Sequence, residues 1–154
     1  VVQNNHAVKE LYLKGQVVLL LTYVAGSLGL LILGNLAITS IGSKTNLMSP
    51  AMILIALIIS FLGNNHSMAG EILLSKNEVP FFKAALISGG ATVLLLLLFF
   101  QFSNIGLWAM ILAQGIAQGV YQNWKWPTVV IRELEITQRD AFKAFSQIIN
   151  PQPK

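Results

Sequence analysis

Apolar residues along the chain gather into four long blocks with short polar punctuation between them, at about 16–41, 49–75, 81–102 and 105–124. Each block predicts a helix crossing a bilayer, because about 20 residues at ~1.5 Å per residue cover the ~30 Å of hydrocarbon. The first 15 residues, VVQNNHAVKELYLKG, are mostly polar, with Val8, Leu11 and Tyr12 at helical spacing. They predict a short surface helix leading into the first span. Beyond residue 127 charge alternates with apolar residues, and Phe142, Phe145, Ile148 and Ile149 with Lys143 predict a short amphipathic helix on the membrane surface, stopped by Pro151 and Pro153. The pattern therefore divides the chain into a lead-in (1–15), a four-helix transmembrane region (16–127) and an amphipathic tail (128–154).

The blocks carry their own punctuation. In the first, Ala25 and Gly29 form a small-xxx-small pair of the kind that lets helix backbones approach, Gly26 and Gly34 lie nearby, and Thr22 and Asn35 are the polar exceptions. The turn cluster GSKTNLMS precedes Pro50, which suits the first turn of the second helix, where a missing N–H costs nothing. That helix is almost wholly apolar from Ala51 to Leu62, then carries Asn64, Asn65, His66, Ser67 and Glu71. At 3.6 residues per turn, Asn64, Ser67, Met68, Glu71 and Ser75 share a face. Lys76, Asn77, Glu78 and Pro80 form a loop, and Ala84, Ser88 and Thr92, with Ala85 and Gly89 beside them, give the third span a small-residue seam. The connection 101–106 is so short that spans three and four must be antiparallel neighbours. The fourth carries Gly115 and Gly119 as a GxxxG pair, with Gln114, Gln118 and Tyr121 or Gln122 along one face expected to point inward. Trp124, Lys125, Trp126 and Pro127 are expected to end it in the headgroup layer.

Composition reinforces a membrane class. Of 154 residues 55% are hydrophobic and 10% charged, at mean hydropathy +0.67, which leaves too little polar surface for a soluble domain of this length. Cysteine is absent, which excludes disulfides and thiolate metal sites. The net charge of +4 comes from basic residues flanking apolar blocks, not from a stripe with interleaved aromatics, so nucleic acid is not an expected partner. In a four-span arrangement nine of the ten Lys and Arg fall on one side and Lys44 alone on the other. The positive-inside rule then puts both ends of the chain and the second loop in the cytoplasm. The chain begins at Val1 without a secretory signal pattern, which leaves two readings, a fragment of a longer protein or a chain whose starting Met has been lost.

Two readings stand for the polar end of the second span. Either the helix simply becomes polar as it meets the headgroups, or Asn64, His66 and Glu71 face a water-filled cavity, joined there by Gln114 and Gln118. The glutamines have the same alternatives, interhelical hydrogen bonds or a cavity lining. His66 and Glu71, five residues apart, stand about 140° around the helix and do not make a metal pair, and His6 has no second ligand at a useful spacing. No metal, cofactor or catalytic residue is expected.

The succession GSKTNLMSP, GNNHSMAGEILLSKNEVPFFKAALISGG and QGVYQNWKWPTVVIREL resembles the C-terminal part of O-antigen flippases and related polysaccharide exporters, over residues 9 to 136. This superfamily also holds the MATE drug exporters and the lipid II flippases. The resemblance implies an all-α, MATE-like fold of two bundles, of which this chain supplies the last four spans. The implied role is alternating-access translocation of undecaprenyl-diphosphate-linked sugar units between membrane leaflets. Implied partners are lipid-linked oligosaccharide, membrane lipids, the N-terminal spans of the same protein and a polysaccharide polymerase. The family's charged cavity residues belong to spans outside this stretch, so none transfers, and Asn77, Pro80, Trp124, Trp126 and Pro127 match as topological positions. Three rivals remain. A MATE-type exporter of organic cations needs a deep acidic residue, for which Glu71 alone is available. A membrane enzyme of polysaccharide synthesis would need paired carboxylates that are not there. A four-span scaffold is compatible with the glycine seams.

Overall fold

A computed structural model describes residues 5–45, 47–75 and 81–150, and among these the chain is entirely helical. Six helices follow in order: α1 (Asn5–Ser40), α2 (Pro50–Leu74), α3 (Phe82–Phe102), α4 (Leu107–Gly119), α5 (Gln122–Glu133) and α6 (Gln138–Ile149). The expected loop at Lys76, Asn77, Glu78 and Pro80 and the prolines 151 and 153 lie outside the described residues.

The lead-in and the first span are one unbroken helix. No proline interrupts residues 5–40, and the glycines within are tolerated, so α1 reaches ~54 Å, well beyond a bilayer's hydrocarbon. It stops at Gly42, whose φ of +68° is open to glycine without strain. Gly42 N–H donates to Thr39 O (3.0 Å) and Ser43 N–H to Ile38 O (3.2 Å), the paired bonds of a Schellman stop. α2 opens at Pro50, and the Ser49 hydroxyl accepts from Met52 N–H at 3.3 Å, so the apolar run starts with a capped turn.

Among the described residues, α1, α2 and α3 are the helices long and apolar enough to cross a membrane. The fourth apolar block is divided. α4 has 13 residues, or ~20 Å, and the backbone leaves helical geometry at Tyr121 (φ −138°, ψ −56°) before α5 begins. WKWP does not end a helix, because Trp124, Lys125, Trp126 and Pro127 all lie inside α5. Pro127 has no N–H to give the carbonyl of Asn123, so the strain of an interior proline falls one turn after the break.

Packing is concentrated at one end of the molecule. Tyr12 from α1, Ala69 and Leu73 from α2, and Trp126, Val130 and Leu134 from α5 and its end form the main buried cluster, with Phe81 edge-on to Trp126 at 5.9 Å between ring centroids. On α5, positions 123, 126, 127 and 130 recur at helical spacing and Leu134 at its end continues them, which is why one side of this short helix is sealed. The apolar windows of the three long helices are almost entirely uncovered, and none of α3 is buried. Those surfaces suit lipid or neighbouring helices, since apolar side chains lose nothing by facing hydrocarbon.

The expected seams form in part. Gly115 lies so close to α2 that a Cβ there would stand 2.5 Å from Ile59 Cδ1, whereas Gly119 has nothing within 4 Å. Gly29 is likewise open, and Ala25 is exposed, so that pair brings no backbone near within this chain. The face of α4 that is buried is an alanine stripe, Ala109, Ala113 and Ala117. On α3, Ala84, Ser88 and Thr92 are half-buried, while Ala85 and Gly89 are exposed.

Candidate functional site

α2 carries polar groups on two faces with different surroundings. Ser60, Asn64, Ser67 and Glu71 follow one another at spacings of three and four, and all four are exposed. The stripe is held in place by local bonds. Asn64 Nδ2 donates to Tyr23 Oη on α1 (2.6 Å) and to Ser60 O (2.9 Å), Tyr23 Oη and Ser60 Oγ are 2.8 Å apart, and Ser67 Oγ donates to Gly63 O (2.9 Å). Tyr23 also packs edge-on against Phe61, with centroids 5.5 Å apart, which fixes the ring whose hydroxyl Asn64 uses.

The other face is closed. His66 shares the side of α2 that carries Ala69 and Leu73, and it meets α5 just after the break. Its Nδ1 is 2.9 Å from Asn123 Oδ1, and since an amide oxygen only accepts, the ring nitrogen is the donor. Asn123 is 7% exposed, and so is Gln122. Gln122 Nε2 turns the opposite way and donates to Ser88 Oγ and, at 3.4 Å, to Ala84 O on α3. Two consecutive amides at the start of α5 therefore tie it to α2 and to α3, where the backbone has just lost its helical bonds.

Comparison with family models, curated proteins and solved structures finds no match to this chain.

The five residues singled out from the sequence therefore separate. Asn64 and Glu71 belong to the open stripe, and His66 is turned away from it into the contact with Asn123. Gln118 is half-buried beside α2, its Oε1 3.6 Å from where a Cβ on Gly63 would stand. Gln114, one turn earlier, is exposed, and the break at Tyr121 detaches Tyr121 and Gln122 from the expected glutamine face. That face does not point inward as a unit: the alanine stripe is the side of α4 that does.

Sequence reasoning passed over Tyr23, Ser60 and Asn123. Ser60 could have been found by extending the Asn64–Ser67–Glu71 spacing back one turn. Tyr23 and Asn123 come from other helices, and their pairing depends on tertiary packing that no local pattern records. Among the described residues no cluster of three or more His, Cys, Asp or Glu side chains is placed to hold a metal ion.

Proposed function

We propose that this chain is the membrane-embedded part of a carrier for polar, lipid-linked substrates, a polysaccharide flippase that passes undecaprenyl-diphosphate-linked sugar units across a bacterial inner membrane by alternating access. The supporting observation is the exposed stripe Ser60–Asn64–Ser67–Glu71 on a helix otherwise apolar enough to span the bilayer. A row of hydroxyl, amide and carboxyl groups is costly against hydrocarbon, so such a face belongs beside a water-filled cavity or another polar helix. Hydroxyls and amides in a row are also the groups that exchange hydrogen bonds with a sugar. The resemblance of GSKTNLMSP, the NEVPF region and WKWP to O-antigen flippases supplies the substrate class.

In this reading α4 and the first turns of α5 together make the fourth crossing, with the break inside it, as in carriers whose discontinuous helices border the substrate path. α1 to α5 form part of the second bundle of a MATE-like fold, with both ends of the chain cytoplasmic. Glu71 then stands near the cytoplasmic mouth of the cavity, too shallow for the deep acidic site of a cation exporter.

The test uses the complete protein in cells whose surface polysaccharide depends on it. Glu71→Gln and Asn64→Leu should reduce delivery of lipid-linked sugar units at unchanged protein level. Normal delivery by both variants would return the stripe to a helix end meeting headgroups.

A further inference from the structure

α6 presents three different faces, and each meets a different environment. Asp140, Ala144 and Ile148 face α1, where Ala144 is buried against Leu13 and Val17 and Lys9 pairs with Asp140 at 2.7 Å. Lys143 and Gln147, on the adjoining side, border a small cleft with His6, Lys9 and Glu10, the polar first turns of α1. Phe142, Phe145 and Ile149, on the remaining side, are 74%, 38% and 57% exposed.

The direction of that apolar face is fixed by what lies beside it. Ala141 and Phe145 line a groove with Leu20 of α1 and Phe61 of α2, residues of the two apolar spans. α1 thus passes from charged residues at 6–10, through the contact with α6 at Leu13 and Val17, to hydrocarbon-compatible residues from Leu20 onward. α6 lies across this transition with its polar side toward the charged turns and its aromatic side toward the spans. Its position is that of a helix in a bilayer interface, where a polar face stays wet while aromatic and aliphatic side chains enter the acyl boundary.

We infer that α6 is an interfacial membrane helix, docked on α1 by Ala144 and the Lys9–Asp140 pair, whose Phe142, Phe145 and Ile149 insert into a lipid leaflet. The occupant of the exposed face is lipid. Arg139 and Lys143 border it and select anionic headgroups. This surface is separate from the α2 stripe, and its test reads lipid contact, not transport.

The chain has no cysteine, so single cysteines can be introduced at Phe142, Ile149 and Gln147 and spin-labelled in the protein reconstituted in phosphatidylethanolamine–phosphatidylglycerol vesicles. Labels at 142 and 149 should collide with dissolved oxygen and be shielded from a water-soluble nickel chelate, with the reverse at 147. Replacing phosphatidylglycerol with phosphatidylcholine should make the labels at 142 and 149 more accessible to nickel. Nickel access at 142 and 149 equal to that at 147 would overturn the inference. So would immobile labels shielded from both reagents, the mark of a protein partner, or dipolar broadening from a second copy. An unfolded tail would give the same nickel access at all three positions and would overturn the inference as well.

Discussion

His66 Nδ1 and Asn123 Oδ1 lie 2.9 Å apart across the α2–α5 contact, joining the polar end of an otherwise apolar helix to the first turn after a helix break. Asn123 is almost fully buried, so removing one partner leaves the other without its bond. His66→Leu and Asn123→Leu should each destabilise the folded chain, and the double variant should cost less than their sum. The coupling should fall near 0.6–1.7 kcal/mol, the range for interhelical hydrogen bonds in bilayers. A double-mutant cycle in bicelles, read by denaturant unfolding, checks it, and strict additivity would show that the pair does not interact.

The glycines of α4 should behave unequally. A methyl at Gly115 collides with Ile59, whose Cδ1 and Cγ1 would stand 2.5 and 3.0 Å from it, whereas Gly119 is open. Relative to Gly119→Ala, Gly115→Ala should therefore be destabilising by about 1–3 kcal/mol, the cost of overpacking a close contact. Gly119→Ala should be neutral or stabilising by up to about 1 kcal/mol, since alanine loses less backbone entropy in a helix. Thermal unfolding of both variants in the same detergent gives the comparison, and equal effects would argue against the close approach of α4 to α2.

Much of this arrangement follows from local chemistry legible in the sequence. The Ser49–Pro50 start of α2, the glycine stop after α1 and the amphipathic character of α6 depend on residues within one turn of each other. The break at Tyr121 was not legible, because the Gly119 that ends α4 reads as half of a GxxxG packing pair and Val120 and Tyr121 continue the apolar run. Its stabilising partners, Gln122 with Ser88 and Asn123 with His66, are 34 and 57 residues apart. The α2 stripe was half legible for the same reason. Asn64 and Glu71 share a helical face by spacing alone, but the orientation of His66 toward α5 is set by burial of Ala69 and Leu73 beneath Trp126 and Val130.

Glu135 adopts φ +48°, a left-handed conformation that costs a side-chain-bearing residue about 1–2 kcal/mol. It is held there by the stop of α5, in which Glu135 N–H donates to Arg132 O (3.2 Å) and Ile136 N–H to Ile131 O (2.9 Å). Glu135→Gly removes that strain while adding freedom to the unfolded chain, so the net gain should be about 0.5–1 kcal/mol. Glu135→Val should destabilise, because a β-branched side chain tolerates positive φ poorly. Unfolding midpoints of the two variants should move in opposite directions.

Lys9 joins that turn to α6 and makes the docking of the tail sensitive to acid. Its Nζ donates to Glu135 O at 2.8 Å and pairs with Asp140 at 2.7 Å, while Thr137 donates to the same carboxylate from N–H (2.8 Å) and Oγ1 (2.7 Å). The Lys9 ammonium first, then the two Thr137 bonds, hold the Asp140 carboxyl far below the usual carboxylate range. A depressed pKa contributes stability that is complete above the unfolded value, near 4, and is lost as pH falls below it toward the folded value. Docking of α6 on α1 should therefore be constant from pH 7 to about 5 and weaken progressively below about 4. Asp140→Asn keeps a capping side chain but removes the charge, and should weaken the docking of α6 at neutral pH and remove the part of the acid response that this carboxyl carries. Spin labels on α1 and α6 at the exposed positions Leu11 and Gln147 report the distance directly. A separation that stays constant from pH 7 to 3 in the unsubstituted chain would mean that the apolar contact of Ala144 with Leu13 and Val17 holds the helix without the charge pair.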